Sequence, residues 1–232
     1  MKPLYFLGLV VLAAFLFVLF PGIDLAFSAL FHRPGEGFHL RYTIPVYGLY
    51  KAVPLIAYGT ILGVIGGFAA LLSPRLARWR INPRIAAYLL LSLALGPGLI
   101  ANTVLKDNMG RARPSQISEF GGKAAFTPAL IPADQCKRNC SFVSGHATLG
   151  FFVVSFAFLV ARRRDRHLAI AGALALGAVV GLGRIIQGAH FLSDVVFSGL
   201  LAYGVAWALH HWLVAVRAPS GAPESSGQPP GP

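Results

Sequence analysis

The chain has 232 residues, of which 56% are hydrophobic and only 12% charged, and its formal net charge is +12 at pH 7. Soluble domains carry about 25% charged residues, so the composition excludes an ordinary soluble protein and is typical of an integral membrane protein. The positive charge alone would also suit a nucleic-acid partner. The sequence has no known nucleic-acid motif and no basic face interleaved with aromatic residues, which argues against such a partner.

Six apolar stretches approach the roughly 20 residues that a membrane-spanning helix needs. We therefore predict an all-α integral membrane protein with six transmembrane helices, at residues 3–20, 52–72, 85–105, 144–161, 168–187 and 192–215. The first stretch also resembles a signal peptide, because Lys2 precedes it and small residues follow at Ala26 and Ser28. Its apolar run is long, however, which favours an uncleaved helix.

Basic residues concentrated in two short loops set the expected orientation. The loop at 73–84 carries four arginines, and the loop at 162–166 reads Arg-Arg-Arg-Asp-Arg. Short basic loops stay in the cytoplasm. We therefore expect segments 21–51, 106–143 and 188–191 on the opposite side, which is the periplasm in a Gram-negative bacterium.

Residues 1–217 form the predicted membrane domain, and the Pro-, Gly- and Ser-rich residues 218–232 are typical of a disordered tail. The two cysteines of the chain, Cys136 and Cys140, lie in the polar loop 106–143. No second Cys or His pair with zinc-site spacing accompanies them. An oxidising compartment favours a disulfide between them, and free thiols are the alternative.

Polar clusters interrupt the apolar pattern at the outer ends of the predicted helices. Lys106 and Arg113 offer a point charge and a planar fork, which suit phosphate oxygens, although basic residues at this depth also serve as headgroup anchors. Ser144 and Gly145 begin a helix whose free N–H groups form an anion site. His146 follows them, and could be either a general acid or a plain interfacial histidine.

A third cluster places Arg184, His190 and Asp194 around a very short turn. If the chain after the turn is helical, the four-residue spacing brings the Asp194 carboxylate and the His190 imidazole onto one face. Asp194 could then hold one ring nitrogen protonated and leave the other free to attack phosphorus. A carboxylate within a membrane segment indicates function in any case, because burying it is costly.

Taken together, the clusters resemble the three-part signature of the type 2 phosphatidic acid phosphatase superfamily. The motifs are Lys-x6-Arg-Pro at 106–114, Ser-Gly-His at 144–146 and Arg-x5-His-x3-Asp at 184–194. Val143 stands where the family often has Pro, and Gly183 stands where it often has Ser. Neither departure changes a charged position.

The resemblance implies a six-helix membrane phosphatase with its signature region at 106–194, working without a cofactor or a metal ion. His190 would attack phosphorus, Asp194 would orient it, and His146 would protonate the leaving alkoxide. The residues implied for binding the substrate phosphate are Lys106, Arg113, Ser144, Gly145 and Arg184.

Residues flanking the motifs look closest to those of bacterial lipid A phosphatases of the 1- or 4'-phosphate type. This implies a membrane lipid phosphate and the bilayer as partners, no obligate protein partner, and an inner-membrane location with the active site facing the periplasm. Undecaprenyl pyrophosphate and phosphatidylglycerophosphate phosphatases are near alternatives; a vanadium haloperoxidase or a non-enzymatic lipid transporter is more remote. Four further basic residues would suit either a substrate with several phosphates or a general anionic surface: Arg111, Lys123, Lys137 and Arg138.

Overall fold

The computed structural model describes residues 2–72 and 74–215, and this part of the chain contains helices and no β-strand. Seven helices account for most of it. They are α1 (Pro3–Leu19), α2 (Gly22–Ala29), α3 (Ile44–Leu72), α4 (Pro83–Asn108), α5 (Gly145–Phe158), α6 (Arg163–Ile186) and α7 (Leu192–Ala215). The tail predicted at 218–232 lies outside the described residues.

Among the described helices, α3, α4, α6 and α7 are long and apolar enough to cross a membrane, and the bent pair α1–α2 adds a fifth if it counts as one span. The four long helices correspond to four of the six predicted stretches. The stretch at 3–20 forms the 17-residue α1, and the stretch at 144–161 forms the shorter apolar helix α5.

Two helices begin earlier than their apolar stretches. α3 starts at Ile44 rather than at residue 52, because helical backbone continues upstream across Lys51 and two tyrosines, which interrupt the apolar pattern. α6 starts at Arg163 rather than at residue 168, within the basic loop, because arginine is a good helix former. Hydropathy therefore located the apolar parts of these helices but not the residues at which they begin.

α1 and α2 meet at an angle of 79°. Pro21 and Gly22 lie at the bend, where the missing N–H of proline and the flexibility of glycine end a helix. α2 packs against the start of α7, where the Ser193 N–H donates to Asp24 Oδ1 at 2.8 Å. It carries Asp24 and Ser28, which are both fully buried.

α4 changes from α-helical to π-helical hydrogen bonding over Ala94–Leu105. Pro97 lies inside this segment and lacks the N–H that the α-helical pattern requires. The side-chain Nδ2 of Asn102 donates to the carbonyl of Pro97 at 2.7 Å. The segment ends directly before Lys106 and so helps to set the direction of that side chain.

α5 packs between α6 and α7, and small residues permit the close contact. A Cβ atom at Gly177 of α6 would lie 2.1 Å from the ring of Phe151. Large apolar side chains on α1 and α3 remain exposed, such as Leu4 at 75% and Leu62 at 66%. Surfaces of this kind suit acyl chains rather than water.

Four helix ends converge at one end of the bundle. The C-terminal ends of α4 and α6 meet the N-terminal ends of α5 and α7, where the polar clusters of the sequence occur. α6 has 24 residues and is therefore about 36 Å long. Its basic start and its polar end thus lie on opposite sides of a layer as thick as a bilayer.

Candidate active site

A cavity of about 230 Å³ opens where the four helix ends meet. Of the eight residues predicted for catalysis and phosphate binding, six line it, and Ser144 and Asp194 lie behind its wall. The lining residues are Tyr50, Pro54, Asn102, Lys106, Arg113, Asn139, Gly145, His146, Leu149, Arg184 and His190. Tyr50, Asn102 and Asn139 were not predicted, because none of them is charged or belongs to a motif.

The short turn between α6 and α7 presents His190 to the cavity. Gly188 in this turn has φ +63°, a left-handed conformation that glycine adopts without strain, and a Cβ there would lie 2.3 Å from the Phe38 ring. The Gly188 carbonyl accepts a hydrogen bond from the Ser115 N–H at 2.9 Å. The turn therefore contacts two segments: Ser115, between α4 and α5, through a hydrogen bond, and Phe38, between α2 and α3, through close packing.

His190 is 1% exposed, and its ring is held by one clear hydrogen bond. Nδ1 lies 2.8 Å from the Ser141 carbonyl oxygen, and because a carbonyl only accepts, Nδ1 carries the proton. Nε2 has no hydrogen-bond partner among the described residues. Burial lowers the pKa of His190 to about 3, and the positive charges of Lys106 and Arg184 act in the same direction, whereas Asp194 opposes them. The imidazole is thus neutral at pH 7, with the Nε2 lone pair free.

Asp194 contacts His190 less directly than the spacing suggested. Its Oδ2 lies 3.6 Å from His190 Nδ1, beyond hydrogen-bond length. The carboxylate instead accepts from the Ser141 hydroxyl at 2.5 Å and from the Phe191 N–H at 2.8 Å. Asp194 therefore fixes Ser141, whose carbonyl holds the imidazole. It also places a negative charge 3.6 Å from His190 Nδ1, on the side of the ring away from Nε2.

Arg111 neutralises the carboxylates behind the site. It is 1% exposed, with Nη1 2.6 Å from Asp194 Oδ1 and Nη2 2.7 Å from Asp24 Oδ2. Its guanidinium also lies 4.3 Å from the centre of the Phe191 ring. Arg111 therefore serves neither of the two roles expected for it, contact with a substrate that has several phosphates or with an anionic surface, because its side chain is enclosed and already paired.

The three cations that line the cavity are held by neutral amide oxygens. Lys106 Nζ donates to Asn139 Oδ1 at 3.1 Å, and Arg113 Nη2 donates to the Asn139 backbone oxygen at 2.8 Å. Arg184 Nη1 donates to Gln187 Oε1. Within the described residues none of the three forms an ion pair with a carboxylate, and Arg184 Nε is buried without a hydrogen-bond partner.

A disulfide between Cys136 and Cys140 closes the small loop that carries Asn139. The Asn139 N–H donates to Asp107 Oδ1 at 3.1 Å, and the Cys140 N–H donates to the Lys106 carbonyl at the same distance. The loop is thus attached to the end of α4. Asn139, held in this way, positions the Lys106 and Arg113 side chains through its hydrogen bonds to both.

The start of α5 contributes His146 and a close backbone approach. The His146 ring stacks on Tyr50, with centroids 4.6 Å apart. A Cβ at Gly145 would lie 2.3 Å from Asn102 Oδ1, so a larger residue there would have to displace the Asn102 side chain. The Ser144 hydroxyl accepts from the Ala147 N–H at 3.3 Å and caps the helix, so it does not face the cavity.

The arrangement suits nucleophilic attack on a phosphate group. A neutral imidazole nitrogen faces a cavity whose charge is positive, and a second histidine, His146, lines the same cavity. Within residues 2–72 and 74–215, no group of three or more His, Cys, Asp or Glu side chains is placed to hold a metal ion.

Several known proteins with related sequences are phosphatases. The PAP2 superfamily model matches residues 85–218, which include all three motifs. A lipid A 4'-phosphatase of Francisella tularensis subsp. novicida is 33% identical over 217 residues, covering 88% of this chain and 93% of that protein. A lipid A 4'-phosphatase of Rhizobium etli is 30% identical over 210 residues, covering 82% and 79%.

A lipid A 1-phosphatase of Rhizobium etli is 37% identical over 134 residues, which is 57% of this chain and 51% of that protein. No solved structure matches the chain. The family match covers more than half of the chain, and the first relative aligns over nearly its whole length. The chain therefore belongs to the PAP2 superfamily, whose three-part signature surrounds the cavity.

Proposed function

We propose that the protein is a lipid A phosphatase that acts through a phosphohistidine on His190 without a metal ion. The observation that carries the proposal is the neutral His190 imidazole, with Nε2 unpartnered, in a cavity lined by three cations that no described carboxylate neutralises. The names of the related proteins support the substrate class. Relatives that align with most of the chain are 4'-phosphatases, which favours the 4'-phosphate as the group removed.

The first step transfers the phosphoryl group to the enzyme. His190 Nε2 attacks phosphorus opposite the ester oxygen, so that a P–N bond forms as the P–O bond to the sugar breaks. His146 gives a proton to the departing oxygen, which leaves as an alcohol. The proton on Nδ1 stays hydrogen-bonded to the Ser141 carbonyl, and the positive charge that develops on the imidazole is stabilised by Asp194 behind it.

Positive charge in the cavity stabilises the transition state. Lys106, Arg113 and Arg184 surround the position of the three equatorial oxygens, where negative charge accumulates. The first N–H groups of α5 add a positive dipole end beside Gly145. These donors take the part that a divalent ion takes in other phosphatases.

The second step returns the enzyme to its starting state. A water molecule attacks phosphorus and gives a proton to the neutral His146, the P–N bond breaks, and its electron pair returns to Nε2. Inorganic phosphate leaves, and the hydrolysis consumes one water for each ester bond. His190 thus ends each turnover as a neutral nucleophile, which fits its buried position.

We further propose six membrane crossings, with α1 and α5 as shortened spans and the cavity on the periplasmic side of the inner membrane. Basic residues at the start of α6 and at 73–84 lie at the opposite end of the bundle from His190, and basic loops remain in the cytoplasm. Trypsin should cleave the 162–166 loop in inside-out vesicles and spare it in right-side-out vesicles. The reverse pattern would place the site in the cytoplasm.

The enzymatic test uses purified protein in detergent with lipid A, undecaprenyl pyrophosphate, phosphatidylglycerophosphate and phosphatidic acid. We expect fastest phosphate release from lipid A, with mass spectrometry showing loss of the 4'-phosphate. His190→Ala should abolish release, and His167→Ala, a change at an exposed histidine of α6, should not. Equal rates on the four lipids would contradict the lipid A assignment, and an active His190→Ala protein would contradict the mechanism.

A further inference from the structure

A second cavity of about 280 Å³ adjoins the catalytic one. The two share Tyr50, Arg113 and Arg184, so these side chains form a common wall. The second cavity is lined by Arg41, Tyr42, Tyr47, Tyr50, Lys51, Arg113, Arg184, Gln187 and Ala189. Neither the motifs nor the reaction steps above use Arg41, Lys51 or the tyrosines at 42 and 47.

The charge of this second cavity is positive and uncompensated. Four of its lining residues are cations and none is a carboxylate. Within the described chain, Arg41 and Lys51 form no ion pair; the nearby Glu36 pairs with Arg33 at 3.6 Å. The pKa of Arg113 is lowered first by burial and also by the positive charge of Arg41. An anion bound between these cations would remove that repulsion.

Aromatic rings line the same cavity beside the cations. The Tyr42 and Tyr47 rings lie 6.2 Å apart, and the Tyr47 and Tyr50 rings lie 5.9 Å apart. Lys51 Nζ lies 5.4 Å from the Tyr47 ring centre. Tyr42 is 74% exposed and Tyr47 is 41% exposed, so both rings have free faces. Tyrosine combines a flat apolar face with a polar hydroxyl, which matches the two kinds of surface on a sugar ring.

The common wall links the two cavities chemically. A phosphate bound in the first cavity would contact Arg113 and Arg184 from one side, and the rest of the same headgroup would reach them from the other. We propose that the second cavity binds a phosphorylated sugar of the substrate headgroup, beyond the scissile phosphate, through Arg41, Lys51 and the tyrosine rings. The proposal rests on the function proposed above and defines which part of the substrate the enzyme reads.

The test compares kcat/KM for two disaccharide lipids that differ only in whether the second, non-scissile phosphate is present. Wild-type protein should prefer the bisphosphorylated lipid. Lys51→Gln and Arg41→Gln should each reduce that preference roughly tenfold, because each removes one charged contact to phosphate. Lys123→Gln is the matched control, since Lys123 is exposed in the segment between α4 and α5 and lines neither cavity.

Three results would overturn the proposal, and they are distinguishable. If wild-type protein hydrolyses neither lipid, the function itself fails. If it hydrolyses both, and the Lys51 and Arg41 variants keep the wild-type preference while still hydrolysing para-nitrophenyl phosphate, only the second cavity is wrongly assigned. A polyprenyl pyrophosphate has a second phosphate but no sugar. If the two variants lose as much kcat/KM on this lipid as on the bisphosphorylated disaccharide lipid, the cavity recognises phosphate alone.

Discussion

Arg111 and Arg113 are two residues apart in the chain and have opposite electrostatic surroundings. Arg111, behind His190, is paired with the carboxylates of Asp24 and Asp194. Arg113, in front of His190, is held by the amide and carbonyl oxygens of Asn139, which fix its position and leave its charge in place. The two arginines thus have different roles: the buried Arg111 neutralises carboxylates of the protein, and the half-buried Arg113 keeps its charge available for the substrate.

The largest expected effect is on stability, at the paired arginine. Arg111→Met leaves the buried Asp24 and Asp194 without their cation, and breaking a buried pair in this way costs about 3–5 kcal/mol. We expect a strongly lowered melting temperature in detergent together with loss of activity. Thermal unfolding followed by intrinsic fluorescence measures the first, and an unchanged melting temperature would show that the network is not structural.

The unpaired arginine should give the converse result. Arg113→Met removes a donor to the transition state, so kcat/KM should fall roughly a hundredfold. The melting temperature should stay the same or rise, because the change relieves repulsion among uncompensated cations. Steady-state kinetics measures kcat/KM, and the same unfolding assay measures the melting temperature, for both arginine variants. Equal destabilisation in the two variants would remove the distinction between them.

The residues that line the catalytic cavity were easier to predict from the sequence than the buried network behind His190. Lys106, Arg113, Arg184 and His190 were found because charged and polar residues stand out in an apolar chain. Asp24 was missed because its partner Arg111 lies 87 residues away and no local pattern connects them. One signal was present: Asp24 is a lone carboxylate in an apolar segment, and such residues are functional candidates.

The fold was predictable to a similar extent. Apolar length located the four long helices, because length and composition decide whether a helix can cross a bilayer. The bend between α1 and α2 and the short α5 depend on where backbone hydrogen bonding is interrupted, at Pro21 and after Phe151. Hydropathy averages over such breaks, and only the proline at the first of them was visible in the sequence.

A smaller effect should follow from removing the side chain that holds Lys106 and Arg113 while keeping both cations. Asn139→Ala deletes the amide oxygen that accepts from Lys106 and Arg113, and leaves the backbone carbonyl that also holds Arg113. Losing hydrogen bonds to charged groups should lower kcat/KM roughly tenfold. Asn108→Ala is the matched control, because that exposed amide bonds only the Val104 carbonyl. If the two variants were equally active, the cations would be positioned by other contacts.

The smallest effect is expected at the disulfide that closes the Asn139 loop. In the Cys136→Ser, Cys140→Ser double variant, the hydrogen bonds from Asn139 to Asp107 and from Cys140 to Lys106 involve backbone N–H groups and can persist. The covalent link closes only a five-residue loop, so its loss should lower kcat/KM roughly two- to fivefold. Dithiothreitol should have the same effect on wild-type protein and none on the double variant. A loss as large as that of Arg113→Met would mean that the disulfide, rather than Asn139 and its hydrogen bonds, keeps the front cations in place.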